Sequence, residues 1–211
     1  MLLVLLSLAV LASALGAIVA DYRGLRRVVY VCKPLAIMLI LLVALVGSAP
    51  AGGRYRLAIV VGLFCSLAGD IFLMLPRDRF VAGLGSFLLA HCCYLVAFTV
   101  GGFRWTLWPL APFLVAGVVV LGVLWPRLGD YRLPVLAYML VIVAMAWQAA
   151  ARWDGLHTTA ASLAALGAAL FVLSDTALAW NRFGRPFRAA QALVLSTYFV
   201  AQWLIALSTG P

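Results

Sequence analysis

The chain has 211 residues, of which 67% are hydrophobic and 10% charged, with a net charge of +9. Soluble domains carry about 25% charged residues, so this composition excludes an aqueous globular enzyme and places the chain in a bilayer. The basic balance does not indicate nucleic acid, because the arginines are scattered over many short segments rather than gathered on one face.

A spanning helix takes about 20 apolar residues. Eight runs of that size fill the sequence, at approximately 2–20, 31–49, 57–75, 81–100, 107–125, 133–151, 158–180 and 189–208. The expected fold is an all-α polytopic membrane protein, a single domain over 1–211. Its connections are too short to hold an aqueous domain, so any site is built from helix interiors and ends.

The first run has no basic segment before it and gains positive charge after it, which suits an uncleaved first helix rather than a signal peptide. The stretch Asp21 to Tyr30 reads as a basic loop at anionic headgroups. If successive connections alternate sides, eleven of the 15 Lys and Arg fall on one side. Arg54, Arg56, Arg104 and Arg152 fall on the other. This positive-inside bias puts both termini on the non-cytoplasmic side, with a bacterial inner membrane as the expected location.

The second run opens on Cys32-Lys33-Pro34, with Pro34 suited to a first helical turn. Lys33 is the only lysine in the chain. It reads as a snorkelling interfacial side chain, or as a cation that meets a phosphate or an acid at the mouth of a site. The third run carries Asp70 within Gly62 to Leu75, and Arg77 follows it. An ionisable group in hydrocarbon costs roughly 2.5–3.5 kcal/mol on insertion scales, so such residues usually face a bundle interior and mark function.

The fourth run has His91 and Tyr94 on one helical face. The tight turn Pro76 to Arg79 packs this helix against the third, which puts His91 in prospect as a neighbour of Asp70. Without that aspartate, a buried hydrogen-bonding histidine is the plainer reading. The sixth run opens on Arg132-Leu133-Pro134, an echo of Lys33-Pro34, with Tyr138 one turn inward.

The seventh run, Gly167 to Trp180, repeats the third 105 residues later and carries Asp175, with Asn181 at its end. In both runs a small residue precedes the acid and a glycine lies eight positions before it. The echoes suggest two parallel four-helix repeats whose aspartates face one another across an axis along the membrane normal. In the eighth run Gln191, Tyr198 and Gln202 form an inward stripe. Such a stripe glues helices or lines a cavity. The cysteines lack zinc-site spacing, so no metal and no cofactor is expected.

Two carboxylates in one low-dielectric site do not both ionise, which leaves a protonated acid beside a carboxylate. That division of labour hydrolyses acetals: one acid donates a proton, and its partner stabilises an oxocarbenium ion or activates water. No nucleophilic triad, phosphate loop or nucleotide motif competes. The chemistry is therefore acid-assisted hydrolysis of a lipid-borne bond. A proton-coupled carrier of a lipid-like solute is the alternative use of the same acids. Against it, neither acid-bearing run holds a proline or paired glycines that would break the helix beside the aspartate, Gly69 being a single glycine before Asp70.

Lys33-Pro34-Leu35, Gly69 to Leu73, Phe80 to Tyr94, Gly167 to Asp175 and Tyr198 to Ile205 resemble segments of the YhhN/TMEM86 lysoplasmalogenase family. The resemblance implies cleavage of the vinyl ether bond of a lysoplasmalogen, a lysophospholipid, to a fatty aldehyde and a glycerophospho-ethanolamine or glycerophosphocholine. It implies Asp70 and Asp175 as the catalytic acids. Around them, His91, Tyr94, Tyr138, Tyr198 and Gln202 are expected to orient water or the glycerol hydroxyl, with Lys33 and Asn181 near the phosphate. Eight helices can enclose such a site without a partner chain.

Overall fold

The computed structural model describes residues 1–47, 52–76 and 78–210. Arg77 and the expected end of the second helix beyond residue 47 lie outside them. Among the described residues there are eight α-helices and no strand: α1 (Leu2–Tyr22), α2 (Arg26–Val46), α3 (Gly53–Met74), α4 (Phe80–Phe98), α5 (Leu110–Leu124), α6 (Arg132–Leu156), α7 (Thr159–Phe183) and α8 (Ala190–Leu207). With the 3-10 turns beside α5 and α6 included, all eight are long and apolar enough to cross a membrane.

Two expectations about α2 need correction. The basic stretch after α1 is not all loop, because Gly24 turns the chain at a φ of 67° and the helix restarts at Arg26. Pro34 therefore sits inside α2 rather than in its first turn. A proline has no N–H, so the Tyr30 carbonyl loses its usual partner one turn back. Only two residues separate α6 from α7. His157 closes α6 in the left-handed region at a φ of 50°, and the Thr158 hydroxyl caps α7 by accepting from the Ala161 N–H at 3.2 Å.

Neighbour relations place six helices in a ring, in the order α2, α3, α4, α6, α7, α8 and back to α2. Helix α1 packs outside α2 and α8, and α5 packs outside α6 and α7. Small residues set the closest approaches. A Cβ on Gly62 would fall 2.3 Å from the Tyr94 ring, and one on Gly69 would fall 2.7 Å from Phe87. The seven-residue spacing of these glycines matches that of the two aromatic rings, so α4 lies in a groove on α3. Gly167 does the same for α8, since a Cβ there would meet the Ala201 carbonyl at 2.9 Å.

One end of the ring is laced together. The Tyr55 and Ser208 hydroxyls lie 2.7 Å apart, and Thr209 donates to the Ala44 carbonyl at 3.0 Å. Buried Gln148 holds both backbone groups of Arg104, accepting from its N–H at 3.1 Å and donating to its carbonyl at 3.0 Å. Arg152 donates to the Val100 carbonyl at 2.8 Å and lies over the Tyr55 ring. The other end opens into a cavity.

Candidate active site

Asp70 and Asp175 line one cavity of about 440 Å³ between α2, α3, α7 and α8. The glycine before Asp70 admits Phe87 at the same level. The serine before Asp175 donates to the Val194 carbonyl at 3.0 Å. In both runs the small residue thus faces the adjoining helix of its hairpin and the acid, one position on, faces the ring interior.

Asp70 is 1% exposed. Its Oδ1 meets Lys33 Nζ at 2.8 Å, and its Oδ2 accepts from the Tyr198 hydroxyl at 2.7 Å. Lys33 is itself 8% exposed, so it does not snorkel to the interface; it turns inward to the acid. Asp175 accepts from the Tyr138 hydroxyl on Oδ2, and His91 Nε2 approaches the same oxygen at 3.2 Å. The Tyr138 hydroxyl also lies 2.8 Å from His91 Nε2. His91 thus serves Asp175, not the Asp70 that the α3–α4 hairpin suggested. Its position on α4 turns it away from the α3 contact surface and toward α6, which is the next helix in the ring.

Phe171 forms a wall between the two acids' partners, with its ring centre 4.6 Å from that of His91 and 5.5 Å from that of Tyr198. Tyr94 and Gln202 lie beneath this layer. The Tyr94 hydroxyl donates to Gln202 Oε1 at 2.6 Å, and neither residue lines the cavity. Asn181 lines neither the cavity nor the cleft described below. Six residues of helix turn it about 120° away from Asp175, whereas Arg182, at seven, shares the acid's face.

The mouth of the cavity carries Arg26, Tyr30, Arg79 and Arg182. Arg26, Tyr30 and Lys33 follow one face of α2, a register that becomes visible once the helix starts at Arg26. From sequence alone the first two read as part of a basic loop. At the rim Arg182 pairs with Asp78 and stacks over Phe80. The hydrogen bond from Arg182, with a further one from the Phe80 N–H, holds the Asp78 carboxyl below the usual carboxylate range. Asp175 also borders a second, narrow cleft of about 60 Å³ between α4, α6 and α7, walled by apolar side chains such as Leu84, Met139 and Val172. Asp175 therefore stands where a polar chamber meets an apolar slot. Among the described residues no cluster of His, Cys, Asp or Glu is arranged to hold a metal.

The YhhN family model matches residues 28–209. The chain is similar to the uncharacterized membrane protein YhhN of Escherichia coli O157:H7, with 34% identity over 95% of this chain and 96% of that one. It is also similar to lysoplasmalogenase TMEM86B of Sus scrofa, with 36% identity over 80% of this chain and 70% of the relative. To human lysoplasmalogenase TMEM86B it is 37% identical over 76% of this chain and 66% of the relative. No solved structure matches. The extent of the family match and the full-length similarity show that this chain belongs to the YhhN family.

Proposed function

We propose that this protein is an intramembrane lysoplasmalogenase that hydrolyses the vinyl ether bond of a lysoplasmalogen to a fatty aldehyde and a glycerophospho-ethanolamine or glycerophosphocholine. The carrying observation is the pair of aspartates on one cavity with a cationic mouth, of which Asp175 also borders an apolar cleft. Relatives named lysoplasmalogenase support the same substrate class. Arg26 and Arg79 face the phosphate in this reading, and the alkyl chain takes the apolar cleft. That puts the vinyl ether at the carboxylates.

A vinyl ether reacts by protonation of its β-carbon. One carboxyl supplies that proton, and the other, ionised, stabilises the oxocarbenium ion. Water adds at the α-carbon and gives up its proton within the pair, and the hemiacetal collapses to aldehyde and alcohol. His91, Tyr138 and Tyr198 position the acids, while Tyr94 and Gln202 support that layer from below. The cationic mouth supports a cytoplasmic-side opening in a bacterial inner membrane, with both termini on the far side. The pairings α3–α4 and α7–α8, α2–α3 and α6–α7, α4–α6 and α8–α2 correspond, which supports two parallel repeats. A carrier needs a second opening, and the hydrogen bonds among the described residues of the laced end weigh against one there.

The test is aldehyde release by purified protein given a lysoplasmalogen, beside Asp70→Asn, Asp175→Asn and the saturated-ether analogue. Wild type is expected to release aldehyde from the vinyl ether alone, and each variant to lose about 10²–10⁴-fold. Release from the saturated ether, or full activity in either variant, would overturn the reading.

A further inference from the structure

The two carboxylates are held in unlike ways. Both oxygens of Asp70 are occupied, Oδ1 by the Lys33 ammonium at 2.8 Å and Oδ2 by the Tyr198 hydroxyl at 2.7 Å. Both contacts of Asp175 fall on Oδ2, and its Oδ1 has no hydrogen bond among the described residues. The Asp175 side chain is 16% exposed and borders both the chamber and the apolar cleft, whereas Asp70 is 1% exposed.

Charge separates them further. Asp70 faces a cation, and two like charges in one low-dielectric site cannot both persist unless each is balanced. Asp175 faces Tyr138 from α6, His91 from α4 and, across the chamber, Asp70 from α3. His91 is 0% exposed, and its Nδ1 has no partner among the described residues. A buried imidazolium would leave an N–H charged and unsatisfied there, so this setting offers no support for a charged ring. Among the described residues no Lys or Arg pairs with Asp175, and the arginines of the chamber stand at its mouth.

We propose that Asp70, held by Lys33 and Tyr198, is a fixed anion, and that Asp175 alone carries the proton, on Oδ1. Lys33 is then a positioning residue that acts through Asp70. This assignment rests on the vinyl ether reading for its chemistry. The Asp175 Oδ1–H bond breaks as the vinyl π pair takes the proton at the β-carbon. The ether oxygen lone pair completes the oxocarbenium ion, whose charge Asp70 opposes. Water bonds to the α-carbon while its proton passes to Asp175 Oδ1. In the collapse, Asp175 protonates the departing glycerol oxygen and recovers the hydroxyl proton as the carbonyl forms. One water is consumed, and the carboxyl ends as it began.

Infrared spectroscopy of the protein in lipid at neutral pH tests the assignment without any substrate. The carbonyl stretch of a protonated carboxyl group is expected in wild type and in the double variant Lys33→Met, Asp70→Asn, which removes the anion together with its cation, and lost in Asp175→Asn. Its loss in the double variant, with retention in Asp175→Asn, would overturn the proposal. Kinetics on the lysoplasmalogen supply the second arm, with thermal unfolding in detergent to confirm that each variant is folded. Lys33→Met is expected to lower kcat by about 10²-fold with KM within about threefold, and to move the ascending limb of the pH profile to higher pH, while Lys33→Arg restores most of the rate. Lys33→Met with Asp70→Asn should be no slower than Asp70→Asn alone, because Lys33 has no other target. A raised KM with unchanged kcat, or additive losses, would make Lys33 a substrate ligand and contradict the proposal. Absence of aldehyde from wild type would fail the hydrolase reading and leave the infrared result to decide the assignment.

Discussion

The two ends of the helix ring differ in what their polar residues do. At the laced end, Tyr55, Ser208, Thr209, Gln148 and the backbone of Arg104 are hydrogen-bonded to one another or to main chain, and four of these side chains are fully or nearly fully buried. At the open end, Arg26, Tyr30, Arg79 and Arg182 surround a chamber that reaches down to two carboxylates. Polar groups that satisfy each other hold helices fixed, and polar groups that line a chamber can meet a ligand. One-sided access is what hydrolysis of a membrane lipid needs. It is the opposite of what alternating access requires.

Thiol labelling gives the largest contrast between the ends. In a protein whose native Cys32, Cys65, Cys92 and Cys93 are replaced by alanine, Tyr30→Cys should react fully with a membrane-impermeant reagent from one side only, the cytoplasmic side in the proposed topology. Ser208→Cys should stay unlabelled from either side, and labelling at Ser208 that responds to substrate would indicate a carrier. Gln148→Ala, at the laced end, removes two buried hydrogen bonds. It should lower stability by about 1–3 kcal/mol in reversible unfolding while leaving kcat unchanged at temperatures where the protein is folded. A lost kcat would show that the two ends are coupled.

The smallest effect is expected at the rim. Asp78→Asn breaks an exposed pair with Arg182, so KM should shift by no more than about twofold. Because Asp78 titrates below the usual carboxylate range, the pair is intact at and above that range and is lost as pH falls through the lowered value. Wild type and variant should therefore differ near neutrality and converge only in acid. Convergence on raising the pH would contradict this.

Much of this arrangement is readable from sequence, because a bilayer constrains it so strongly. Runs of about 20 apolar residues mark the helices, and an acid inside such a run has few explanations. The repeated pattern of glycine, small residue and acid put Asp70 and Asp175 at one level, and Tyr138 and Tyr198 do lie against them. Partner choice was not readable. His91 serves Asp175 across the ring rather than Asp70 in its own hairpin, since a helix face is chosen by which neighbours surround it. Lys33 read as interfacial, or as a cation meeting a phosphate or an acid, because the first turns of α2 look like a basic loop. Starting that helix at Arg26 carries Lys33 two turns inward, to an acid it can pair with. Asn181 followed from closeness in sequence, but helical periodicity takes it off the cavity face.

Acid-driven vinyl ether hydrolysis turns on protonation of carbon, and isotope incorporation measures that step. With a lysoplasmalogen turned over in D2O and the aldehyde reduced in place as it forms, the alcohol recovered should carry one deuterium on the carbon next to the former carbonyl. Aldehyde without deuterium at that carbon would contradict acid-driven vinyl ether hydrolysis, whichever aspartate is the donor.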